Sequence, residues 1–338
     1  MRWRGETMKK WHKTALDLKN QNFDAKEITD ILYEEYPEEL RLLKNPYNSV
    51  CVFLSKAKKK EKKALAKEQN TNQAKEKRIV FQNQEPDVIE SKWDGGRVIR
   101  FGLMGDTQMG SKYTQLTYLH EFYDLCALKG INAVYHTGDI CEGLKMRVGH
   151  EYELYKVSAD DMVDDVIDNY PQRPGITTYF ITGNHDASIY KQVGYDIGLA
   201  ISRRREDMKY LGRDCAVVNL TPNCTLELRH PWDGTAYATS YKLQKMIEAM
   251  ESDSKPNILA VGHYHKAEYL FYRNVHAFQT ACFQAQTPFT RGKGISTQLG
   301  GWILEALVNE DGSILSLKQE FIPYYKSIKD DYKTFKKK

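Results

Sequence analysis

Hydrophobic positions after residue 97 form short apolar runs, each followed by a polar loop. The runs at 98–104, 131–135 and 176–180 contain β-branched residues, and amphipathic segments at 116–128 and 159–169 lie between them. Short apolar runs that alternate with helical segments predict parallel βαβ units. Further predicted strands lie at 216–220, 224–228, 257–261, 275–278, 302–307 and 313–317. The pattern therefore predicts a mixed α/β domain whose later half is richer in strand.

The first 55 or so residues have the spacing of short helices instead. Asp24 and Glu27 resemble a capping box that opens the second of these helices, and Pro37 ends or closely limits it. A third helix begins near Pro46, because proline is favoured in the first helical turn. Three short helices, the last continuing into a basic segment, resemble a helix-turn-helix DNA-binding domain. A small helical adaptor with a protein-binding or structural role has the same pattern.

The positive charge of the chain is concentrated in a block that follows the third predicted helix. The net charge is only +4, yet residues 56–78 contain ten lysines or arginines and three glutamates. Such a block is either a solvated helix surface or an anion-binding element, and nucleic acid is the commonest anionic partner. In a helix-turn-helix domain, the start of the third helix would face base edges and the lysines would meet phosphates. The candidate nucleic-acid contacts are Tyr47, Asn48, Lys58, Lys59, Lys60, Lys62 and Lys63.

Length and composition indicate a globular protein with more than one domain. A chain of 338 residues exceeds the usual size of one domain, and 41% hydrophobic and 28% charged residues are ordinary for a soluble protein. We expect a helical domain at 1–69, a linker at 70–96, a main domain at 97–325 and a basic tail at 326–338.

The sequence favours an intracellular location. No apolar run approaches the roughly 18 residues of a membrane helix, and the charged start at 1–6 lacks the apolar core of a signal peptide. Six cysteines are scattered without a CxxC pair, which argues against a structural zinc site and against a disulfide framework. We therefore expect a cytoplasmic protein with reduced cysteines and no membrane partner. The oligomeric state is left open.

Side chains with metal-ligand chemistry follow several of the predicted strands. They are Asp106, Gln108, Asp139, Asn184, His230, His263 and His265. Because the carboxyl ends of parallel strands meet at one edge of a sheet, we expect the first four of these side chains to lie close together. Seven oxygen or nitrogen ligands are too many for one ion. The sequence therefore predicts a site for more than one metal ion.

The order of these motifs resembles that of the calcineurin-like metallophosphoesterase superfamily. Asp-x-Gln, Gly-Asp, Gly-Asn-His-Asp, His and Gly-His-x-His follow one another between about residues 98 and 325. The resemblance implies a four-layer α/β/β/α sandwich that holds two divalent metal ions. It implies one ion at Asp106, Gln108, Asp139 and His265, and another at Asp139, Asn184, His230 and His263. It also implies that His185 is the catalytic histidine and Asp186 its orienting carboxylate.

One position departs from the superfamily pattern, because Gln108 stands where the first motif normally has a histidine. An amide oxygen is a weaker and harder ligand than an imidazole nitrogen. We therefore expect looser binding at that position and Mn²⁺ as the favoured ion, with Mg²⁺, Fe²⁺ and Zn²⁺ as alternatives. The departure is also compatible with a partly disabled enzyme.

The resemblance implies hydrolysis of a phosphoester by a metal-bridging hydroxide, with His185 stabilising the developing charge or protonating the leaving oxygen. The basic helical domain favours DNA as the substrate, which would make the chain a phosphodiesterase or nuclease. Two alternatives stay open: a small-molecule phosphomonoesterase or cyclic-nucleotide phosphodiesterase, and a catalytically weak nucleic-acid-binding subunit. His150 and Arg204 are candidate substrate contacts. Aromatic residues near the end, such as Tyr324 and Tyr332, are candidates for stacking on single strands.

Overall fold

The computed structural model of the chain describes residues 10–21, 23–57, 88–90 and 93–335. The chain divides into two compact units, Met1–Glu85 and Pro86–Lys338. Within the described ranges, no helix combines the length and the apolar character needed to span a membrane.

The first unit is helical, as predicted. Its helices are α1 (Lys10–Asn20), α2 (Ala25–Glu35), α3 (Pro37–Arg41) and α4 (46–57). The Asp24 carboxylate accepts hydrogen bonds from the backbone amides of Lys26 and Glu27, which confirms the capping box. One face of each helix contributes to a small core made of Trp11, Ala15, Ile28, Leu32, Leu40, Val50 and Phe53.

The predicted nucleic-acid contacts lie only partly within the described residues. Tyr47 and Asn48 are exposed in the first turn of α4, where the prediction requires them to be accessible. Lys58, Lys59, Lys60, Lys62 and Lys63 lie outside the described residues. DNA binding by this unit therefore stays a prediction.

The second unit contains two six-stranded sheets. Sheet I has the order β12-β11-β2-β3-β4-β5, and sheet II has the order β1-β6-β7-β8-β10-β9. The strands of sheet I are β2 (Val98–Met104), β3 (Ala133–His136), β4 (Thr177–Thr182), β5 (Met208–Arg213), β11 (Gly300–Val308) and β12 (Ile314–Pro323). Those of sheet II are β1 (Val88–Glu90), β6 (Cys215–Thr221), β7 (Cys224–Arg229), β8 (Ile258–Val261), β9 (Ala267–Tyr272) and β10 (Val275–Thr280).

Helices cover the outer faces of both sheets. They are α5 (Leu116–Leu128), α6 (Ala159–Asn169), α7 (Asn184–Val193), α8 (Ile197–Arg204), α9 (Thr239–Ala249), α10 (Pro288–Gly292) and α11 (Asp331–Thr334), with a 3₁₀ turn at His150–Glu153. Side chains alternate across a strand, so each sheet supplies two apolar faces. Phe101 and Leu103 of β2 pack between the sheets against Leu226 of β7, whereas Met104 belongs to the core shared with α5 to α8. On the far side, Leu243 of α9 packs against sheet II.

These layers confirm the expected four-layer α/β/β/α sandwich. Strands β2, β3, β4 and β5 are parallel neighbours, and so are β7, β8 and β10. The loops that leave β2, β3 and β4 therefore emerge at one edge of sheet I. That edge carries the first three strand-end motifs.

The predicted linker and the predicted tail both contain structure. Within the predicted linker, β1 pairs in parallel with β6, with Ile89 opposite Val218. Residues 88–90 are therefore an edge strand of sheet II. The described residues 88–90 thus belong to the second unit, although the sequence places them in a linker. A strand of three residues is too short to show a pattern in the local sequence, and its pairing partner β6 lies far along the chain.

Within 326–338, Asp331 is buried and caps α5, accepting hydrogen bonds from the Thr117 amide (2.8 Å) and hydroxyl (2.6 Å). The ring of Tyr332 stacks on Tyr155 at 4.7 Å between centroids. Tyr324, just before this segment, stacks in the same way on a ring of α5. These two tyrosine rings pack on their own domain, which is contrary to a role in stacking on single strands.

Candidate metal centre

Five of the predicted ligands have backbone conformations that residues with a side chain adopt rarely. Asp106, Gln108, Asp139, His263 and His265 have φ values of 51°, 52°, 56°, 79° and 54°. They follow closely after β2, β3 and β8. Left-handed conformations cost free energy and are concentrated at functional sites. The strands thus end in sharp turns that direct these side chains to one place.

Four of the predicted ligands meet around one amide oxygen. Asn184 Oδ1 lies 3.0 Å from His230 Nε2 and 2.8 Å from His263 Nδ1. His230 Nε2 also lies 3.1 Å from Asp139 Oδ2. The ligand atoms of Asp139, His230 and His263 all lie within 4.8 Å of one another. The structure therefore brings together the four residues expected to hold one ion.

Backbone carbonyls decide which ring nitrogens face this cluster. His230 Nδ1 lies 2.7 Å from the Thr137 carbonyl oxygen, and His263 Nε2 lies 2.7 Å from the Asp233 carbonyl oxygen. A carbonyl only accepts, so both of these nitrogens carry the proton and donate it. The opposite nitrogens then point lone pairs at Asn184. Lone pairs of Asn184, His263 and Asp139 converge with His230 Nε2, and such a cluster requires a positive charge, either a proton on His230 Nε2 or a metal ion.

The charges in the cluster agree with that requirement. Burial disfavours the charged form of His230, but the neighbouring Asp139 carboxylate outweighs it and raises the pKa of His230 to about 9. Burial lowers the pKa of His263 to about 4, which leaves its ring neutral and able to act as a ligand near pH 7. A proton shared by His230 and Asp139 supplies positive charge at the point where the lone pairs meet. Metal binding would release that proton.

The other predicted ligands lie beside this cluster. His265 Nε2 is 3.3 Å from Asp106 Oδ1, and the Gln108 amide nitrogen donates to Asp139 Oδ2 at 3.3 Å. Gln108 Oε1 is fully buried and, among the residues that the structure describes, has no hydrogen-bond partner. An orphaned buried acceptor is costly unless a donor or cation reaches it. The residues present thus fit a second cation next to Asp139.

His185 and Asp186 are neighbours in the sequence but form separate sets of hydrogen bonds. The His185 amide donates to Asp139 Oδ1 at 2.8 Å, and its Nδ1 donates to the Glu142 carbonyl oxygen at 2.6 Å. Asp186 instead accepts three backbone hydrogen bonds, listed by donor as Cys141 (2.8 Å), Gly183 (2.9 Å) and Ile140 (3.2 Å). The expectation that Asp186 orients His185 is therefore wrong. Asp186 joins the loops after β3 and β4, and a carbonyl orients the histidine.

Gly183 explains why the motif needs glycine before Asn184. A Cβ at position 183 would lie 2.3 Å from Asp139 Oδ1 and 2.6 Å from the His230 ring. Neither of these atoms has room to retreat, because both are buried in the cluster. The close approach of the backbone is thus part of how the four ligands meet.

Two predicted substrate contacts do not reach the centre. Arg204 ends α8 just before β5 begins. It therefore lies at the amino ends of the parallel strands of sheet I, opposite the centre, and it pairs with Asp164 at 2.6 Å. The prediction for Arg204 is wrong because the chain reverses direction between the motif loop and this helix end. His150 is next to the site but fully buried, and its Nε2 lies 2.9 Å from Glu142 Oε1. It lies behind His185 and has no face open to a substrate.

Sequence reasoning did not identify the residues that support the predicted ones. Glu142 contacts both His150 and His185, and Gln284 donates to Glu142 Oε2. Cys282 contacts the His265 ring; although burial opposes a charge there, Cys282 and Asp106 raise the pKa of His265 well above its usual range. Glu142 follows Gly-Asp in the same loop, which is the signal that could have pointed to it. Cys282 and Gln284 give no such signal, since they come from the loop after β10.

The strand-end residues by which the sequence resembles the calcineurin-like metallophosphoesterase superfamily thus lie in the second unit, at the carboxyl ends of its strands. No protein-family model matches the chain. It is 22% identical over 236 residues to the DNA polymerase II small subunit of Halobacterium salinarum, in two strains, over 59% of this chain and 46% of the relative. The chain thus spans about half the length of the curated relatives it matches.

Among solved structures, similar chains include a novel archaeal phosphodiesterase, with 12% identity and a TM-score of 0.39 over 66% of this chain and all of that one. A predicted phosphoesterase of Streptococcus pneumoniae is 12% identical, with a TM-score of 0.34 over 67% of this chain and 98% of that one. Zinc-bound Vps29 of Entamoeba histolytica is 14% identical, with a TM-score of 0.33 over 67% and 99%.

Proposed function

We propose that the chain is a divalent-metal-dependent phosphoester hydrolase that acts on DNA as a phosphodiesterase or nuclease. The observation that carries the proposal is the convergence of lone pairs from Asp139, Asn184, His230 and His263, beside the orphaned oxygen of Gln108. Carboxylate, amide and imidazole ligands at these distances fit divalent ions, and the Gln108 oxygen has no hydrogen-bond partner among the described residues.

The residues divide into ion ligands and a proton carrier. Asp139, Asn184, His230 and His263 would hold one ion, and Asp106, Gln108, Asp139 and His265 the other, with Mn²⁺ favoured by the oxygen of Gln108. Divalent ions held by these residues would lower the pKa of a bound water and neutralise charge on the phosphate. His185 Nε2, opposite the nitrogen that the Glu142 carbonyl holds, would carry the proton for the leaving oxygen.

Exposed basic side chains on the segments that follow β3 and β10 support a polyanionic substrate. The loops after β2, β3 and β10 pack on one another through bridges such as Ser111–Leu154 and Thr114–Gln284. On these loops Lys145, Arg291 and Lys293 are exposed, and none has a carboxylate within ion-pairing distance among the residues that the structure describes. Unpaired cations at such a rim suit phosphates. We call Lys145, Arg291 and Lys293 the basic rim.

Two further features support DNA in particular. The helical unit presents Tyr47 and Asn48 on α4, as a helix-turn-helix domain would. The curated relative that the chain resembles is a subunit of a DNA polymerase by name. We propose that the helical unit binds DNA and that the basic rim binds the strand at the metal centre.

The test combines a small diester with DNA. Purified protein is incubated with Mn²⁺ and either bis-p-nitrophenyl phosphate or labelled single- and double-stranded DNA, in parallel with Asp139→Asn. We expect Asp139→Asn to lose about 100-fold or more of the turnover of both substrates, since it removes the ligand shared by the ions. The matched control is Asp253→Asn, an exposed carboxylate in the loop before the amino end of β8, whereas the centre lies after the carboxyl end of that strand.

A combined substitution of the basic rim separates DNA from small esters. The triple variant with alanine at Lys145, Arg291 and Lys293 should lose more DNA cleavage than ester turnover. The slope of the logarithm of the DNA-binding constant against the logarithm of the salt concentration should become shallower by about three. Lys209→Ala, an exposed lysine at the opposite edge of sheet I, should leave the slope unchanged. Ester hydrolysis with DNA left intact would identify a small-molecule phosphodiesterase or monoesterase instead.

A second candidate is a catalytically weak nucleic-acid-binding subunit. Gln108 favours it, because this position offers an amide where the superfamily pattern has an imidazole. DNA binding without any Mn²⁺-dependent turnover, and the same DNA affinity in Asp139→Asn, would establish this alternative.

A further inference from the structure

A buried hydrogen-bonded group lies directly behind His185. His150, Glu142 and Gln284 are 0%, 1% and 3% exposed. His150 Nε2 lies 2.9 Å from Glu142 Oε1, and the Gln284 amide donates to Glu142 Oε2 and, at 2.9 Å, to Ser111. Both carboxylate oxygens of Glu142 are therefore held from opposite sides.

The protonation of His150 follows from its other nitrogen. The Met146 backbone amide donates to His150 Nδ1 at 3.3 Å, so that nitrogen is the acceptor and Nε2 carries the proton. His150 Nε2 then donates to Glu142 Oε1. The possible metal-ligand atoms of Glu142, His150 and His185 lie within 4.8 Å of one another, which is close enough to hold a cation. Their hydrogen bonds already satisfy them, so the cluster is complete without one.

The segment 142–143 presses against the first turn of α7. Gly143 has φ +72°, and a Cβ there would lie 2.2 Å from the His185 carbonyl oxygen and 2.5 Å from Ser188 Oγ. This close approach allows the Glu142 carbonyl to reach His185 Nδ1 at 2.6 Å. A Glu142 carboxylate oxygen lies 3.9 Å from the same nitrogen. Glu142 thus contacts the proposed proton carrier through its backbone, and its side chain is fixed by His150.

We propose that His150 is a positioning residue: by holding the Glu142 side chain it keeps the Glu142 carbonyl on His185 Nδ1 and leaves His185 Nε2 directed at the leaving oxygen. A water oxygen forms the new bond to phosphorus and gives up a proton. The bond to the leaving oxygen breaks with its electron pair on that oxygen, which takes the proton from Nε2 of the protonated His185 ring. The kinetic consequence rests on the proposed function. The geometric consequence, the hydrogen bond at His185 Nδ1, does not.

The kinetic test varies the leaving group. p-Nitrophenolate leaves without being protonated, whereas the sugar hydroxyl of a dinucleotide needs a proton. His150→Ala should therefore lower kcat for a dinucleotide by about 10-fold or more, with little change in KM, and lower kcat for bis-p-nitrophenyl phosphate less than about 3-fold. His150→Gln keeps an N–H that can donate to Glu142 and should recover most of the loss.

The spectroscopic test uses the protein without added metal. In ¹⁵N-labelled protein, the His185 Nδ1 proton should be protected from solvent exchange, and His150→Ala should abolish that protection. Gly143→Ala, which forces the Glu142 carbonyl away, should have the same effect. His120→Ala, a substitution of another buried histidine bonded to the Asn169 carbonyl, is the matched control and should leave the signal unchanged.

The outcomes distinguish this inference from the proposed function. If the wild type hydrolyses no ester but the Nδ1 proton is lost in His150→Ala, the proposed function fails and the positioning role stands. An unchanged Nδ1 proton in His150→Ala, or equal losses of kcat for both leaving groups, would overturn the positioning role.

Discussion

The stability of the second unit should depend strongly on the buried side chain of Arg205. Its guanidinium is 95% removed from solvent and forms a bidentate pair with Asp207, at 2.7 Å from Nε and 2.6 Å from Nη2. The remaining N–H groups donate to four backbone carbonyls at the end of α6, which belong to Val166, Ile167, Tyr170 and Pro171. The side chain thus closes the carboxyl end of that helix, where backbone carbonyls have no partner within the helix.

Replacing Arg205 with alanine removes the guanidinium from all of these acceptors, and of the four carbonyls Val166 still accepts from the Tyr170 amide. Removing one partner of a buried ion pair costs about 3–5 kcal/mol. Arg204 is the neighbouring arginine, but its pair with Asp164 is about half exposed on both sides. Such a surface pair contributes about 0–1 kcal/mol. For a domain of this size, 1 kcal/mol corresponds to about 2–4 °C in Tm, so Arg205→Ala should lower Tm by roughly 6–20 °C.

The assay is thermal unfolding of the two single variants side by side, followed by KM for bis-p-nitrophenyl phosphate. Arg204→Ala should leave both Tm and KM close to those of the wild type, because Arg204 lies at the opposite edge of sheet I from the centre. Equal Tm losses in both variants would refute the distinction between a buried and an exposed arginine. A large rise of KM in Arg204→Ala would restore its role as a phosphate contact.

Three further predictions concern the metal centre and the chain end. Gly183→Ala places a Cβ 2.3 Å from Asp139 Oδ1, so Mn²⁺ affinity measured by titration calorimetry should fall at least about 10-fold; an unchanged affinity contradicts the close approach. Gln108→His should bind Zn²⁺ more tightly than the wild type, and equal Zn²⁺ affinity would show that position 108 is not a ligand. Asp331→Ala removes both hydrogen bonds to Thr117 and should cost about 1–3 kcal/mol in thermal unfolding, whereas no loss would mean that the segment does not stabilise α5.

The positions of the ligand residues at the strand ends could be predicted from the sequence. Apolar runs at β2, β3 and β4, each followed by a ligand residue, were sufficient to predict that Asp106, Asp139 and Asn184 share one edge. That inference works because parallel strands leave their carboxyl ends on the same side, whatever the details of packing. The buried lone-pair cluster agrees with it.

Sequence reasoning failed where a role depends on which atom of a side chain faces which neighbour. Asp186 follows His185 directly, yet its carboxylate accepts amides from two loops, while the Glu142 carbonyl holds the histidine. Similarly, three consecutive arginines look alike along the chain, but Arg205 is buried and Arg204 is exposed. Adjacency along the chain does not determine contact, because successive side chains of a helix point in different directions.

The sequence by itself determined the two units, the alternation of strand and helix and the identity of the seven candidate ligands, because these depend on local periodicity and residue chemistry. Only the tertiary structure decided which imidazole nitrogen of His230 faces the cluster, since this ring is oriented by the Thr137 carbonyl 93 positions earlier. It also decided that residues 88–90 form a strand, because their pairing partner β6 lies far along the chain. Both features depend on hydrogen bonds between segments far apart in the sequence, so a local sequence pattern cannot predict them.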